Sequence, residues 1–280
     1  MLACHARRRR IRPAQATSTV AMLVDTLTQP TDGPSSMAEV ARRISALRGS
    51  RRIEDVIARL LEIEREKDGY RNPERRSRRR LRRHPDGVAC FNFMYLEVTE
   101  AVRASLSRFE SPALVERLAV VFAEYYLAAY EAAAARAWVS KAWEPLFEER
   151  DKTGVVPLQF ALAGMNAHIN NDLPWALLQT WAERGTAPTS DSPEYRDFQR
   201  VNDILAGVAD EVRATLESGL LRWLDRALGR FDDLVASVVI AKARSEAWSR
   251  ATRWRTTFDD EAAAAHERHV GYESRLILTA

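Results

Sequence analysis

Apolar residues fall three and four positions apart along most of this chain, and that spacing predicts helices. Ile53, Val56, Ile57, Leu60, Leu61 and Ile63 follow the Gly49-Ser50 break and trace an amphipathic helix of about four turns, up to Lys67. Phe91, Met94, Tyr95, Val98, Val102 and Leu106 mark a second helix. Ser111-Pro112 opens a third, with Ser111 as N-cap, Pro112 at the first helical position, and Leu114, Leu118, Val121, Phe122 and Tyr125 as its buried stripe. That helix is predicted to run through Ala132 to Ala135 toward Trp138 and Trp143, ending near Pro145.

Gly154 and Pro157 punctuate the next entry, and Leu158, Leu162, Met165 and Ile169 mark a helix so apolar that it belongs at the centre of the fold. Residues 185–193, rich in Gly, Thr, Pro and Ser, read as a loop. Two long helices follow, over 201–228 and from Asp232 or Asp233 to Arg253, then a short exposed one over 261–269. No segment shows the alternation of a strand, so the expected fold is all-α, an irregular bundle of about seven to nine helices in one domain. Along the chain this gives a disordered leader over 1–36, amphipathic helices and an Arg-rich connector over 37–86, a helical core over 87–255, and a C-terminal helix or tail over 256–280.

Charge changes the picture only when it is split. The net charge is +3, but residues 1–86 carry 21 basic against 11 acidic side chains, while 87–280 carry 21 against 28. The two arginine runs, Arg7 to Arg10 with Arg12 and Arg75 to Arg83, contain no aromatic residue to stack on bases and accompany no recognition-helix pattern, so nucleic-acid binding is not favoured. Only Lys67, Lys141, Lys152 and Lys242 are lysines, a bias that codon usage explains as well as phosphate recognition does. After the first run only Val20 to Val24 is apolar, too short for the core of an export signal, and Met22 and Met37 are alternative starts.

No stretch approaches the roughly 18–20 apolar residues of a membrane-spanning helix. Cys4 and Cys90 are too few for a disulfide framework or a zinc module, which makes a cytoplasmic protein with reduced thiols the default expectation. The chain also lacks G-x-G-x-x-G, P-loop, G-x-S-x-G and H-E-x-x-H signatures, which removes dinucleotide oxidoreductases, P-loop NTPases, α/β-hydrolases and zincin proteases.

One stretch carries candidate chemistry: Gly164-Met165-Asn166-Ala167-His168-Ile169-Asn170-Asn171-Asp172-Leu173-Pro174-Trp175. If the helix continues, His168 and Asp172 share a face, where imidazole and carboxylate hold a metal together or the carboxylate fixes the histidine tautomer. If Pro174 breaks the helix, Asp172 caps the next one and His168 is a core histidine. The candidate catalytic set is His168, Asp172 and Asn166. A divalent metal such as zinc or iron would be held by His168 and Asp172 with Glu97, Glu124 or Glu246, Asp225 being a further candidate. His266 and His269 offer a weaker pair in an exposed tail, and Arg244 with Trp248 a helical cation–π pair.

Three segments together, 91–99, 164–174 and 243–248, resemble an actinobacterial family of helical proteins of unknown function with an N-A-H-I-x-x-D-L stretch, over about residues 51–255. The resemblance implies a single all-α domain and brings no activity. His168-x-x-x-Asp172 is also similar to the H-x-x-x-D helix of the zinc-dependent phospholipase C and nuclease group, but Trp175, Ala176 and Leu177 stand where those enzymes place a second histidine. Asn202-Asp203, Ala206 and Asp210 fall at the spacing of the second magnesium motif of class I terpene synthases, with Ala206 replacing a ligand and no upstream aspartate-rich motif. The leading expectation is a metal-dependent hydrolase acting on a small molecule at His168 and Asp172. A non-catalytic module that binds an apolar ligand or a protein partner is the alternative, and an isoprenoid-processing enzyme a further one.

Overall fold

The structure is a computed structural model, which describes residues 36–46, 52–67, 69–70, 86–216 and 233–279. The leader, the Arg75 to Arg83 run, Asp225 and the predicted helical stretch beyond Leu216 lie outside the described residues. The helices are α1 (Met37–Ala46), α2 (Ile53–Glu66), α3 (Gly87–Ala104), α4 (Pro112–Ala134), α5 (Glu144–Glu148), α6 (Pro157–Asn166), α7 (Leu173–Arg184), α8 (Pro193–Leu216), α9 (Asp233–Thr256) and α10 (Asp260–Thr279). A π-helical turn, Ala167–Asp172, joins α6 to α7 without a break. Counting that run as one, the described residues form nine helices and no strand, the all-α bundle expected from the periodicity.

The Pro157–Arg184 run is the axis. Its α6 half packs on α3 and α10, its π turn on α9 and α10, and its α7 half on α4 and α9. Close approach on α6 depends on small residues. The face that is buried is Phe160, Ala161, Ala163, Gly164 and Ala167, whereas Leu158, Leu162, Met165 and Ile169, the stripe expected to lead inward, are only half-buried. A Cβ on Gly164 would stand 2.4 Å from the Phe91 ring, so the lack of a side chain is what lets α3 approach. Phe91 in turn meets Tyr126 edge-on at 4.9 Å and Trp143 at 5.2 Å, which makes the α3–α6 contact the aromatic centre of the core.

Four features depart from the expectation, at α4, α8 and α10. α4 stops at Ala134 because Arg136 takes a left-handed conformation at φ 52°, and Trp138 and Trp143 belong to the segment beyond. The Ser111 side chain makes no capping bond. The buried Asp197 of α8 reaches across to accept from the Glu110 and Ser111 amides at 2.9 and 2.6 Å, so a distant carboxylate satisfies the start of α4. α8 begins at Pro193, eight residues before the predicted start at Val201, with Ser192 Oγ accepting from the Tyr195 amide. The tail is not a short exposed helix: α10 runs for 20 residues and buries Val270, Gly271, Ser274 and Leu278. Among the described residues no helix is long and apolar enough to cross a membrane.

Candidate functional site

The π turn decides between the two sequence readings of Asp172. The helix does not break before Pro174: the run continues through it from the π turn into α7, and the Asp172 side chain makes no capping bond. Asp172 faces inward at 1% exposure, and its Oδ2 lies 3.0 Å from His168 Nδ1. The capping alternative is therefore replaced by a direct imidazole–carboxylate pair. π turns are rare insertions that cluster at functional sites.

Two further donors complete the carboxylate. Trp143 Nε1 donates to Oδ2 at 2.9 Å and Asn171 Nδ2 donates to Oδ1 at 2.8 Å. Because a carboxylate only accepts, Nδ1 carries the proton toward Asp172, and the neutral ring is left with a lone pair on Nε2. That nitrogen is buried and has no hydrogen-bond partner among the described residues, although the other polar atoms of the pair are bonded. Burial pulls the His168 pKa below its ordinary value, against the raising effect of Asp172, so the imidazole is neutral at physiological pH.

The walls are aromatic. Phe122 lies flat on the His168 ring at 3.5 Å and 6°, and Tyr95 presents its edge at 4.6 Å. Phe91, Tyr126 and Trp143 stand 5.8, 6.3 and 5.9 Å away. Burial raises the pKa of Tyr95 and of Tyr126, so both phenols stay neutral and the rings around His168 carry no charge. Two i, i+4 pairs supply four of these rings, Phe91/Tyr95 on α3 and Phe122/Tyr126 on α4. Paired aromatics one turn apart were the available signal, and Phe91, Tyr95 and Phe122 were legible as core without their facing His168 being so.

A polar network leads from Asp172 to the α10 surface. The Asn171 amide that donates to Asp172 also donates to Ser140 Oγ at 3.3 Å, and Ser140 in turn bonds the Glu267 carboxylate, which accepts the Lys141 amide at 2.7 Å. Burial, helped by the nearby Asp172 charge, raises the Glu267 pKa. His266 Nε2 is 2.8 Å from the Asn170 carbonyl and so donates to a backbone acceptor of the π turn. His269 pairs with Glu273 at 3.3 Å, so the two histidines turn to different partners.

The other candidates fall apart from the pair. Asn166, two residues before His168, turns to α10: its Nδ2 donates to the Val270 carbonyl at 3.0 Å and to Ser274 Oγ, and its Oδ1 accepts from Asn170. Glu97 is half-buried on α3, Glu124 is buried on α4, and Glu246 is solvent-facing on α9 beside Lys242 at 3.8 Å. Among the described residues no three His, Cys, Asp or Glu side chains form a group able to hold a metal, so His168 and Asp172 are not joined by these glutamates into a ligand set. Arg244 stacks on Phe198 at 4.3 Å rather than on Trp248, and its Nε donates to Asn202 Oδ1 at 2.8 Å. Asn202 Oδ1, at the spacing of the second magnesium motif, thereby accepts from a guanidinium.

No curated protein and no solved structure matches this chain. A family model described only as a family of unknown function matches residues 53–280, which takes in the whole Pro157–Arg184 axis and every ring around His168, and the chain therefore belongs to that family, DUF5995.

Proposed function

We propose that the chain is a ligand-binding helical domain whose site is the His168–Asp172 pair, and that its ligand is a small, largely apolar molecule carrying one hydroxyl or N–H group. The observation that carries this is the Nε2 of His168, buried and without a partner among the described residues. Leaving such an acceptor dry costs about 1–3 kcal/mol, and native structures hold such groups mainly where something else bonds them. Asp172 fixes the tautomer that turns the Nε2 lone pair outward from the pair, and the aromatic walls suit an apolar body.

The chemistry open to this arrangement is proton transfer. A ligand hydroxyl or a water on Nε2 would give up its proton to the imidazole, and Asp172, held by Trp143 and Asn171, would stabilise the imidazolium. A hydrolase of this kind would use His168 as base. The metal-dependent form would need ligands that the described residues do not bring to the pair.

The test is a thermal-shift screen of hydroxylated and amine-bearing aromatic and alicyclic compounds against wild type and His168→Phe, with long-range ¹H–¹⁵N NMR of the His168 ring. The expected result is a class of compounds that stabilises wild type but not the variant, and a ring protonated at Nδ1 whose Nε2 resonance moves on binding. A ring protonated at Nε2, or hits that stabilise both proteins equally, would overturn the proposal.

A further inference from the structure

A buried acceptor is useful only if something can reach it, and the walls around His168 are unequal. Phe91, Tyr95, Tyr126 and Trp143 are each at most 7% exposed, whereas Phe122, the ring lying flat on His168, is only half-buried. One aromatic ring thus separates the imidazole from the outer layer of the bundle.

That ring has a cover of its own. Phe122 packs against three apolar clusters, one of them the cluster in which Met37, Val40 and Ile44 of α1 meet Val121, Tyr125 and Ala176. Met37 Sδ also accepts from Asn171 Nδ2 at 3.6 Å, so α1 touches the same amide that holds Asp172. α1 has 10 residues, fewer than the roughly 12–15 that make an isolated helix stable in water, so its helicity depends on this docking. It also lies before residue 53, where the family match begins.

We propose that Phe122 is the gate to His168 and that α1 is the latch that keeps the gate shut. Undocking of α1 loosens one of the three apolar clusters that hold Phe122 and frees the Asn171 amide on one side, and rotation of the Phe122 ring then uncovers the imidazole. The inference rests on His168 being the ligand-binding group, since it concerns access to that group.

Diethyl pyrocarbonate tests the gate without any knowledge of the ligand, because it acylates a neutral imidazole at an accessible nitrogen. Full-length chain would be treated briefly and His168 acylation followed by peptide mass spectrometry, with the 65% exposed His269 as internal reference. In wild type His168 should react far more slowly than His269. Phe122→Ala should speed His168 by about tenfold or more and leave His269 unchanged, since it removes the local opening step. A Val40→Asp, Ile44→Asp chain, with α1 release checked by hydrogen exchange, should do the same with Phe122 intact. If Phe122→Ala fails to fold, Phe122→Leu gives the same comparison with less lost packing.

A wild-type His168 rate in a folded Phe122 variant, or in a chain whose α1 is released, overturns the gate. The ligand screen fails or succeeds separately. Faster acylation with no ligand found leaves the gate standing, and ligands that bind wild type with no change in His168 reactivity in the variants leave the binding site standing without it.

Discussion

Asp172→Asn is the sharpest perturbation of the site because it keeps the volume and alters only donors and acceptors. The carboxylate accepts from His168 Nδ1 and Trp143 Nε1 on Oδ2 and from Asn171 Nδ2 on Oδ1. A new amide can keep the first two on its carbonyl oxygen, but its NH₂ then faces the Asn171 NH₂ at 2.8 Å, donor against donor. Flipping Asn171 restores that bond only by turning its carbonyl toward Ser140, whose hydroxyl is engaged by Glu267. Hydrogen bonds to charged groups contribute about 1.5–3 kcal/mol each, so losing one outright and weakening two should cost about 2–4 kcal/mol. Urea denaturation followed by circular dichroism reads this as a lower midpoint at unchanged slope. An Asp172→Asn chain as stable as wild type would refute the hydrogen-bond assignment around the pair.

Gly271→Ala should destabilise by about 1–2 kcal/mol although alanine favours helices, because the new Cβ would sit 2.2 Å from the Lys141 carbonyl and that oxygen belongs to backbone; a rise in thermal midpoint would show that α10 is not seated as described. Acid sensitivity follows from His168: its folded pKa lies below the unfolded value of 6.5, so the unfolded chain takes up a proton that the folded chain refuses, and stability falls as pH drops through the interval below 6.5. His266 acts in the same direction, so His168→Phe should reduce the slope of stability against pH without abolishing it, and identical slopes in the two proteins would contradict a buried neutral His168. Arg244 is 6% exposed, and burial lowers its pKa to about 9, so it remains charged at neutral pH while donating to the neutral acceptors Asn202 Oδ1 and the Phe198 carbonyl. Arg244→Lys should cost more stability than Arg244→Met, since lysine keeps the buried charge and loses the planar stack on Phe198, and the reverse order in a denaturation series would count against this account.

The helical period was enough to locate α2, α3, the start of α4 and the run that carries the site, because each has an apolar face set by residues close in sequence. It misjudged what depends on distant groups. Nothing near Ser111 announces that Asp197 takes over the start of α4, and nothing in the alanine-rich end of α4 marks Arg136 as the residue that turns left-handed. The pairing of His168 with Asp172 was legible from their spacing, and the alternative, a break at Pro174, was equally consistent with that spacing. What separated them was the π turn, whose extra residue leaves no trace in composition or period. Asn166 looked like part of the site for the same reason: on paper it neighbours His168, and in the bundle it faces α10.

The π turn also makes α7 a helix whose orientation depends on a single residue count. In a regular α-helix each residue advances the azimuth by about 100°, so the one residue absorbed between Ala167 and Asp172 sets which side of α7 looks inward. Leu173, Ala176, Leu177, Thr180 and Trp181 line its buried face as the chain stands. Deleting one residue from 167–172 would let the run relax to plain α geometry, and every side chain beyond would swing by that same angle, carrying Trp181 away from Trp248. The site and the seam between α7 and α9 therefore share one phase, and evolution cannot straighten the turn at His168 without rewriting the helix that follows it.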